Sequence, residues 1–228
     1  MVHRREHPDQ KRGGRAAHEL RAQARELYRD AILAAAEVVF ARFGFAGTRM
    51  ADVAAEAGLA TGTLYNYFAN RDELLSSLIE RRSEELLAAV QEELVSVSRG
   101  SPRELLLAVI RTSFRHFDTH RALFAVLPAA IGISGKHMAS IAERCAESHR
   151  NYQALVTEAL GPAVEAGQIR PDVPLSQLVG FLTGAVHGVM RDSILRAGAA
   201  GGVGDQRPLI DQASDVVDLF LSGASPRT

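Results

Sequence analysis

Apolar residues along this chain recur at helical intervals and no stretch alternates convincingly at period two, so the pattern predicts helices and no strands. The first helix is expected from about Glu19 to Phe43, with Leu27, Ala31, Ala34, Ala35, Val38 and Val39 on its apolar side and Gly44 as its stop. A short helix follows Thr48, a good N-cap residue, with Met50, Val53, Ala54 and Ala57 on one face. Gly58 stands where that helix must end, because glycine enters the left-handed conformation without strain. Another short helix starts near Thr61 and runs through Tyr67 or Phe68. Phe40, Phe43 and Phe45, with Val53, Leu59 and Leu64, are expected to fill a three-helix core.

A longer helix opens at Arg71-Asp72-Glu73, whose acidic residues suit the positive end of a helix dipole. It continues to about residue 95 through Leu74, Leu75, Leu78, Ile79, Leu86, Leu87, Val90 and Leu94. Ser101-Pro102-Arg103-Glu104 combines a capping box with proline at the first helical position, the strongest local helix start in the chain. Helices are then expected over 102–117, 119–131 and 138–165, with an end or bend near Pro128 and a break or kink at Gly161-Pro162. The helix over 175–196 is apolar nearly all round and must be covered on both sides. Its Gly180, Gly184 and Gly188 form a smooth stripe that suits either a tight crossing within the chain or a subunit contact. The subunit contact is the better fit, since one core cannot easily cover every face. The last helix, over 208–222, shows Ile210, Ala213, Val217, Phe220 and Leu221 on one face. These two helices from each of two copies could form a four-helix bundle about a two-fold axis. Leu178, Phe181, Gly184, Gly188, Val217, Phe220 and Leu221 would lie at that contact.

Two short helices joined by a glycine turn make a helix-turn-helix, whose second helix can lie in a major groove. That helix carries Thr63 and Asn66, short hydrogen-bonding side chains able to reach base edges or phosphates. Tyr65 and Tyr67 add hydroxyls on rigid rings, and Arg71 adds a fixed positive charge at the next helix. Any one tyrosine could equally be a half-buried packing residue. Gly62 costs roughly 1 kcal/mol inside a helix, which fits a backbone brought close to a phosphate. Thr48, Arg49 and Thr61 complete the set expected to face DNA.

Thr48, Ala57-Gly58, Gly62-Thr63-Leu64-Tyr65, Tyr67-Phe68 and Arg71 through Leu74 resemble the N-terminal domain of the tetracycline-repressor (TetR) family of transcription regulators, over about residues 25 to 80. Ala60 stands where the family usually has serine, Thr61 where it often has lysine, and Arg71 where lysine is common. Loss of the serine cap would cost roughly 1 kcal/mol unless Thr61 takes over the role. These departures bear on which operator is read more than on whether DNA is bound. The resemblance implies an all-α protein with a three-helix DNA-binding domain over 20–70 and a larger helical ligand-binding and dimerisation domain over 71–228. It implies a repressor that binds an inverted repeat in double-stranded DNA as a homodimer. A small apolar or amphipathic effector would enter the C-terminal domain, shift the helix over 71–95 and release the operator.

The chain's 228 residues, 46% hydrophobic, suffice for one sizeable core or for a small domain joined to a larger one. A formal net charge of -1 gives no global attraction to nucleic acid, so any DNA-binding field must be local. Residues 1–19, with Arg4, Arg5, Lys11, Arg12 and Arg15 around Gly13-Gly14, read as a disordered basic arm. A sharper reading gives that arm phosphate or minor-groove contacts. Cys145 is the only cysteine, which excludes an intramolecular disulfide and a multi-cysteine zinc site and fits a reducing cytoplasm. The N-terminus lacks the apolar core of a secretory signal. The run from Leu175 to Met190 contains Gln177 and His187 and is too short and polar to span a bilayer, so no membrane partner is expected.

His116 and His120 stand four apart, with Asp118-Thr119 reading as a cap that could place them on separate helices. His149 and His187 lie on later helices, and no HExxH-type framework joins the four, so no metal is expected, nor any cofactor. Cys145 and His149, also four apart, would allow a thiolate pair, but no oxyanion signature or orienting carboxylate accompanies them and no enzyme is expected. Phe114, Phe117, Phe124 and Met138, with His187 and Arg191, could line a ligand cavity. His187 and Arg191 fit a dimer contact about equally well. The competing classes are a helical small-molecule-binding oligomer and a Cys/His enzyme, neither with a role at DNA.

Overall fold

The computed structural model describes residues 8–97, 100–131, 136–199 and 208–224. Among them are helices α1 (Pro8–Gly47), α2 (Met50–Glu56), α3 (Thr61–Tyr65), α4 (Arg71–Ser96), α5 (Pro102–Thr119), α6 (Arg121–Ile131), α7 (Lys136–Glu165), α8 (Leu175–Ala199) and α9 (Leu209–Ala224), and no strand. The protein is all-α. It divides into two compact units, one ending at Leu75 and the other beginning at Ser76, a boundary that falls inside α4.

In the N-terminal unit, α1 is helical from Pro8, over residues whose arginines suggest a disordered arm. Proline suits a first helical position, and Ala, Arg and Glu between Arg15 and Leu20 favour helix strongly enough to offset Gly13-Gly14. The buried side of α1 is also rotated from the expected one. Ile32, Leu33, Ala36, Val39 and Phe40 are buried, whereas Leu27 (71%) and Val38 (43%) are exposed, as are Ala31 and Ala34. The run from Ala31 to Ala41 is apolar almost all round, so its periodicity alone could not choose between two faces. Phe43, expected in the core, is 49% exposed, and Arg42 lies over its ring.

Gly44 interrupts α1 at φ 68°, ψ 172°, a conformation that L side chains rarely adopt. The kink brings Phe45 into the core against Phe40, ring centroids 5.9 Å apart. It also changes the role of Thr48. Rather than capping α2, the Thr48 hydroxyl donates to the Gly44 carbonyl at 2.8 Å, and Arg49 occupies the N-cap position without a side-chain cap. Helix α2 ends as the sequence implied. Gly58 sits at φ 68°, its N–H donates to Ala55 O and the Leu59 N–H donates to Ala54 O at 2.8 Å, a Schellman closure. Helix α3 begins after Ala60 with no side-chain cap, so Thr61 does not replace the missing serine. At the start of α4 the caps are reciprocal: Glu73 N–H donates to Asn70 Oδ1 at 2.8 Å, and Ala69 N–H donates to Glu73 Oε2 at 2.7 Å.

In the C-terminal unit α5 packs with α9, and α7 with α8. The Ser101–Glu104 capping box forms, with Pro102 in the first turn. Arg103 clamps α5 to α9 through a bidentate pair with Asp218 at 3.0 and 3.2 Å. The core joins Val90, Leu106, Ile110, Phe114, Phe117, Val156, Leu160, Val179, Leu182 and Ala213. Leu178 and Val217 are buried in this same core, at 6% and 0% exposure, so neither is free to meet a second subunit. They occupy the inward side of the two-sided helices α8 and α9. Pro162 does not break α7, which continues to Glu165, and α6 runs through Pro128 to Ile131.

Candidate nucleic-acid interface and ligand cavity

The N-terminal unit holds α3 by its apolar side. Leu64 and Phe68 are fully buried, while Thr61, Gly62, Tyr65 (52%) and Asn66 are exposed and Thr63 is half-buried. A Cβ at Gly62 would meet nothing within 4 Å, so the backbone there lies open. Arg49, at the start of α2, is also exposed. These residues offer hydroxyl, amide and guanidinium groups of the kinds that contact phosphate and base edges.

Two members of the expected set have other work. Thr48 is 4% exposed and its hydroxyl is committed to Gly44, so it is not a DNA contact. Arg71 folds back, its guanidinium 4.3 Å from the Phe45 ring centroid, donating to Ala46 O at 2.9 Å and Thr48 O at 3.4 Å. It satisfies carbonyls left without helical partners after the Gly44 kink, and is thereby held to the protein. Tyr67 is half-buried, 6.4 Å from Tyr28 by ring centroids, with the Arg25 guanidinium 6.0 Å from its ring. Arg29 lies 4.8 Å from the Phe68 ring centroid. The sequence reading missed Arg25 and Arg29; their spacing, one helical turn apart on α1, was the available signal.

The C-terminal unit contains a cavity of about 650 Å³, within the range of small-molecule sites. Phe117 and Phe124, ring centroids 4.9 Å apart, form part of its apolar wall with Leu86, Leu123, Val186 and Met190. His187 and Arg191 border it. Phe114 does not: it is fully buried in the core behind. The Met138 side chain lies outside the described residues. The polar groups that sequence reasoning missed are Ser113, Tyr152 and Thr183, together with His116, His149 and Cys145, which it had weighed only as metal or catalytic candidates. Cys145, His149 and Tyr152 fall at i, i+4 and i+7 on α7, a single stripe that could have revealed them.

The Tyr152 hydroxyl and Ser113 Oγ are 2.8 Å apart, and burial pushes the Tyr152 pKa up to about 12 despite that bond. The His149 and His187 rings lie 5.0 Å apart. Surrounding protein lowers the His187 pKa, and the neighbouring His149 adds to this. Burial pushes the Cys145 thiol up, away from thiolate character. His120 stands at the junction of two helices: its N–H closes α5, which carries His116, and its carbonyl accepts from the Leu123 and Phe124 N–H groups at the start of α6. Among the described residues no three His, Cys, Asp or Glu side chains are grouped to hold a metal ion. No described helix is long and apolar enough to cross a membrane.

A helix-turn-helix unit with an outward second helix, followed by a helical unit enclosing an apolar cavity, defines a DNA-binding regulator. The family model for "Bacterial regulatory proteins, tetR family" matches residues 32–78. The HTH-type transcriptional repressor KstR2 of Mycobacterium tuberculosis is 24% identical over 155 residues, 68% of this chain and 75% of that protein. The fatty acid metabolism regulator protein of Bacillus subtilis is 22% identical over 202 residues, 88% of this chain and 97% of that one. The fold matches the solved structure of the regulator FadR from Bacillus subtilis in complex with stearoyl-CoA with a TM-score of 0.69 at 20% identity, covering 85% of this chain and 97% of that chain. Residues 32–78 thus carry the family's DNA-binding domain, and over most of its length the chain is similar to transcriptional regulators of that family.

Proposed function

We propose that this regulator is a ligand-responsive repressor that binds an inverted-repeat operator as a homodimer. The observation that carries the reading is the two-sidedness of α3, with Leu64 buried and Thr61, Tyr65 and Asn66 exposed around the open backbone of Gly62. The DNA-binding domain is taken as residues 20–70 and the regulatory and dimerisation domain as 71–228. Two copies of α3 related by a dimer axis would enter successive major grooves roughly 34 Å apart. Support for the dimer comes from α8 and α9. Phe181 is 62% exposed and Leu219 77%, and a Cβ at Gly184 or Gly188 would meet nothing within 4 Å, so these glycines serve no tight crossing among the described residues. Phe220 and Leu221 are partly covered and border the same region of α9.

The cavity of the C-terminal unit is the effector site in this reading, and the stearoyl-CoA bound to FadR from Bacillus subtilis makes an amphipathic effector a reasonable class. Because α4 carries residues of both units, a ligand that favours one placement of α4 would change operator affinity by its own coupling factor. The direct test is capture of genomic fragments by the purified protein, followed by sequencing. Enrichment of an inverted repeat supports the reading, and fragments sharing no such repeat would remove it. Release of that repeat by a compound that binds the protein tests the effector.

A further inference from the structure

We propose that His149, His187 and Arg191 receive the anionic head of a single-tailed amphipathic ligand, whose tail lies along the Phe117–Phe124 wall. This rests on the effector reading above and narrows it to a ligand class.

The inference follows from which polar groups facing the cavity remain uncommitted. On α5 and α7, Ser113 and Tyr152 are bonded to one another. On α8, Thr183 accepts from Gln153 at 2.9 Å and donates to Gly180 O. On α4, Arg82 makes two bonds to Glu85, at 3.0 and 2.8 Å. On α5, His116 is engaged by its surroundings, its ring tilted against that of His120 with centroids 4.6 Å apart. What remains is the His149–His187 ring pair and Arg191, with the Ser83 and Ser148 hydroxyls and the Cys145 thiol. Of these only the two imidazoles and the guanidinium can carry a positive charge, and no described residue joins Arg191 in an ion pair. His187 and Arg191 are one turn apart on α8, so they can share one head group. The His149 ring approaches from α7.

No aspartate or glutamate appears among the described residues lining the cavity. His187 and Arg191 are exposed and His149 is half-buried, so they stand on the solvent side of the apolar wall. There a guanidinium near two imidazoles attracts an anion, repels a cation and gains little from a neutral alcohol. An anion there also favours protonation of His187, offsetting both influences that lower its pKa, the surrounding protein and then His149. The other titratable groups on the cavity wall are Arg82, His116, Cys145 and Tyr152. None of these is a carboxylate that would take the anion's place.

The test is calorimetry on the full-length protein without DNA, using decanoate, decanol and decyltrimethylammonium. Decanoate should bind about tenfold more tightly than decanol, the gain of one charge-assisted hydrogen bond, and the ammonium most weakly. Its affinity should rise as pH falls from 8 to 6, and His187→Gln should flatten that rise. Arg191→Gln should weaken decanoate about tenfold and leave decanol unchanged. Equal binding of decanol and decanoate, or no binding by any of the three, overturns the assignment. So does an Arg191→Gln protein that loses its oligomeric state by light scattering along with decanoate affinity, which would place the arginine in a subunit contact. Decanoate that binds with the expected pattern but leaves operator binding unchanged would instead sink the effector reading and leave the head-group assignment standing.

Discussion

The Arg71 guanidinium lies 4.3 Å from the ring centroid of Phe45, twenty-six residues earlier, while donating to the carbonyl of Ala46 at 2.9 Å. The pair fastens the start of α4 to the kinked end of α1. Replacing Arg71 with alanine removes a cation–π contact and hydrogen bonds from a charged donor, and should cost about 1–2 kcal/mol of stability. Arg71→Lys should recover only part, because an ammonium cannot hold two carbonyls and stack in the same plane. Urea unfolding measures the loss. The salt dependence of DNA binding should keep its slope in Arg71→Lys, since this residue is held by the protein.

Tyr65 makes the opposite case. It is 52% exposed on α3, so Tyr65→Ala should leave the fold within about 0.5 kcal/mol of the parent. Operator affinity, read by fluorescence anisotropy, should fall about tenfold, the worth of one hydrogen bond and its packing. Substitutions of Thr63 or Asn66 should change which sequence is preferred. A full-strength Tyr65→Ala protein would move the DNA-facing surface away from α3.

At Ser101 the side chain accepts from the Glu104 N–H while the Glu104 carboxylate accepts from the Ser101 N–H at 2.7 Å. Ser101→Ala should therefore cost about 1 kcal/mol. The hydrogen bonds from Ser101, backbone first and then side chain, lower the Glu104 pKa below 4.5. A depressed carboxylate contributes stability above its unfolded value, lost as pH falls through its folded one. The difference between parent and Ser101→Ala should accordingly shrink in melts taken below pH 4.5.

Tyr152 has the reverse sign. Its folded pKa is raised from 10.0 to about 12, so its neutral form is favoured and the associated stability is present below pH 10 and lost as pH rises through 12. Tyr152→Phe should unfold at nearly the same urea concentration as the parent at pH 7, because Ser113 Oγ still donates to Val109 O at 2.8 Å. By pH 11 the parent should have lost more stability than the variant.

Phe181 is 62% exposed beside the open Gly184. If that face is the subunit contact, Phe181→Glu should give monomers in sedimentation velocity while retaining helical content. A dimer unaffected by the change would place the contact elsewhere.

Helix positions and the glycine-turn-helix motif were legible from the order of residues, because caps such as Ser101–Glu104 and stops such as Gly58 act over a few positions of the chain. The apolar character of α8 and the outward polar set Thr61, Tyr65 and Asn66 were legible for the same reason. Which side of α1 is buried was not, since Ala31 to Ala41 is apolar on nearly every side and only packing selects Ile32 and Val39 over Leu27 and Val38. Nor could spacing reveal that Thr48 and Arg71 turn inward: both answer carbonyls exposed by the Gly44 kink, a need that arises only once the chain has bent. The cavity shows the same division. The stripe Cys145, His149, Tyr152 is written along α7, but its meeting with Ser113 and His187 joins α7 to α5 and α8, and contacts between distant segments are set by how whole helices pack.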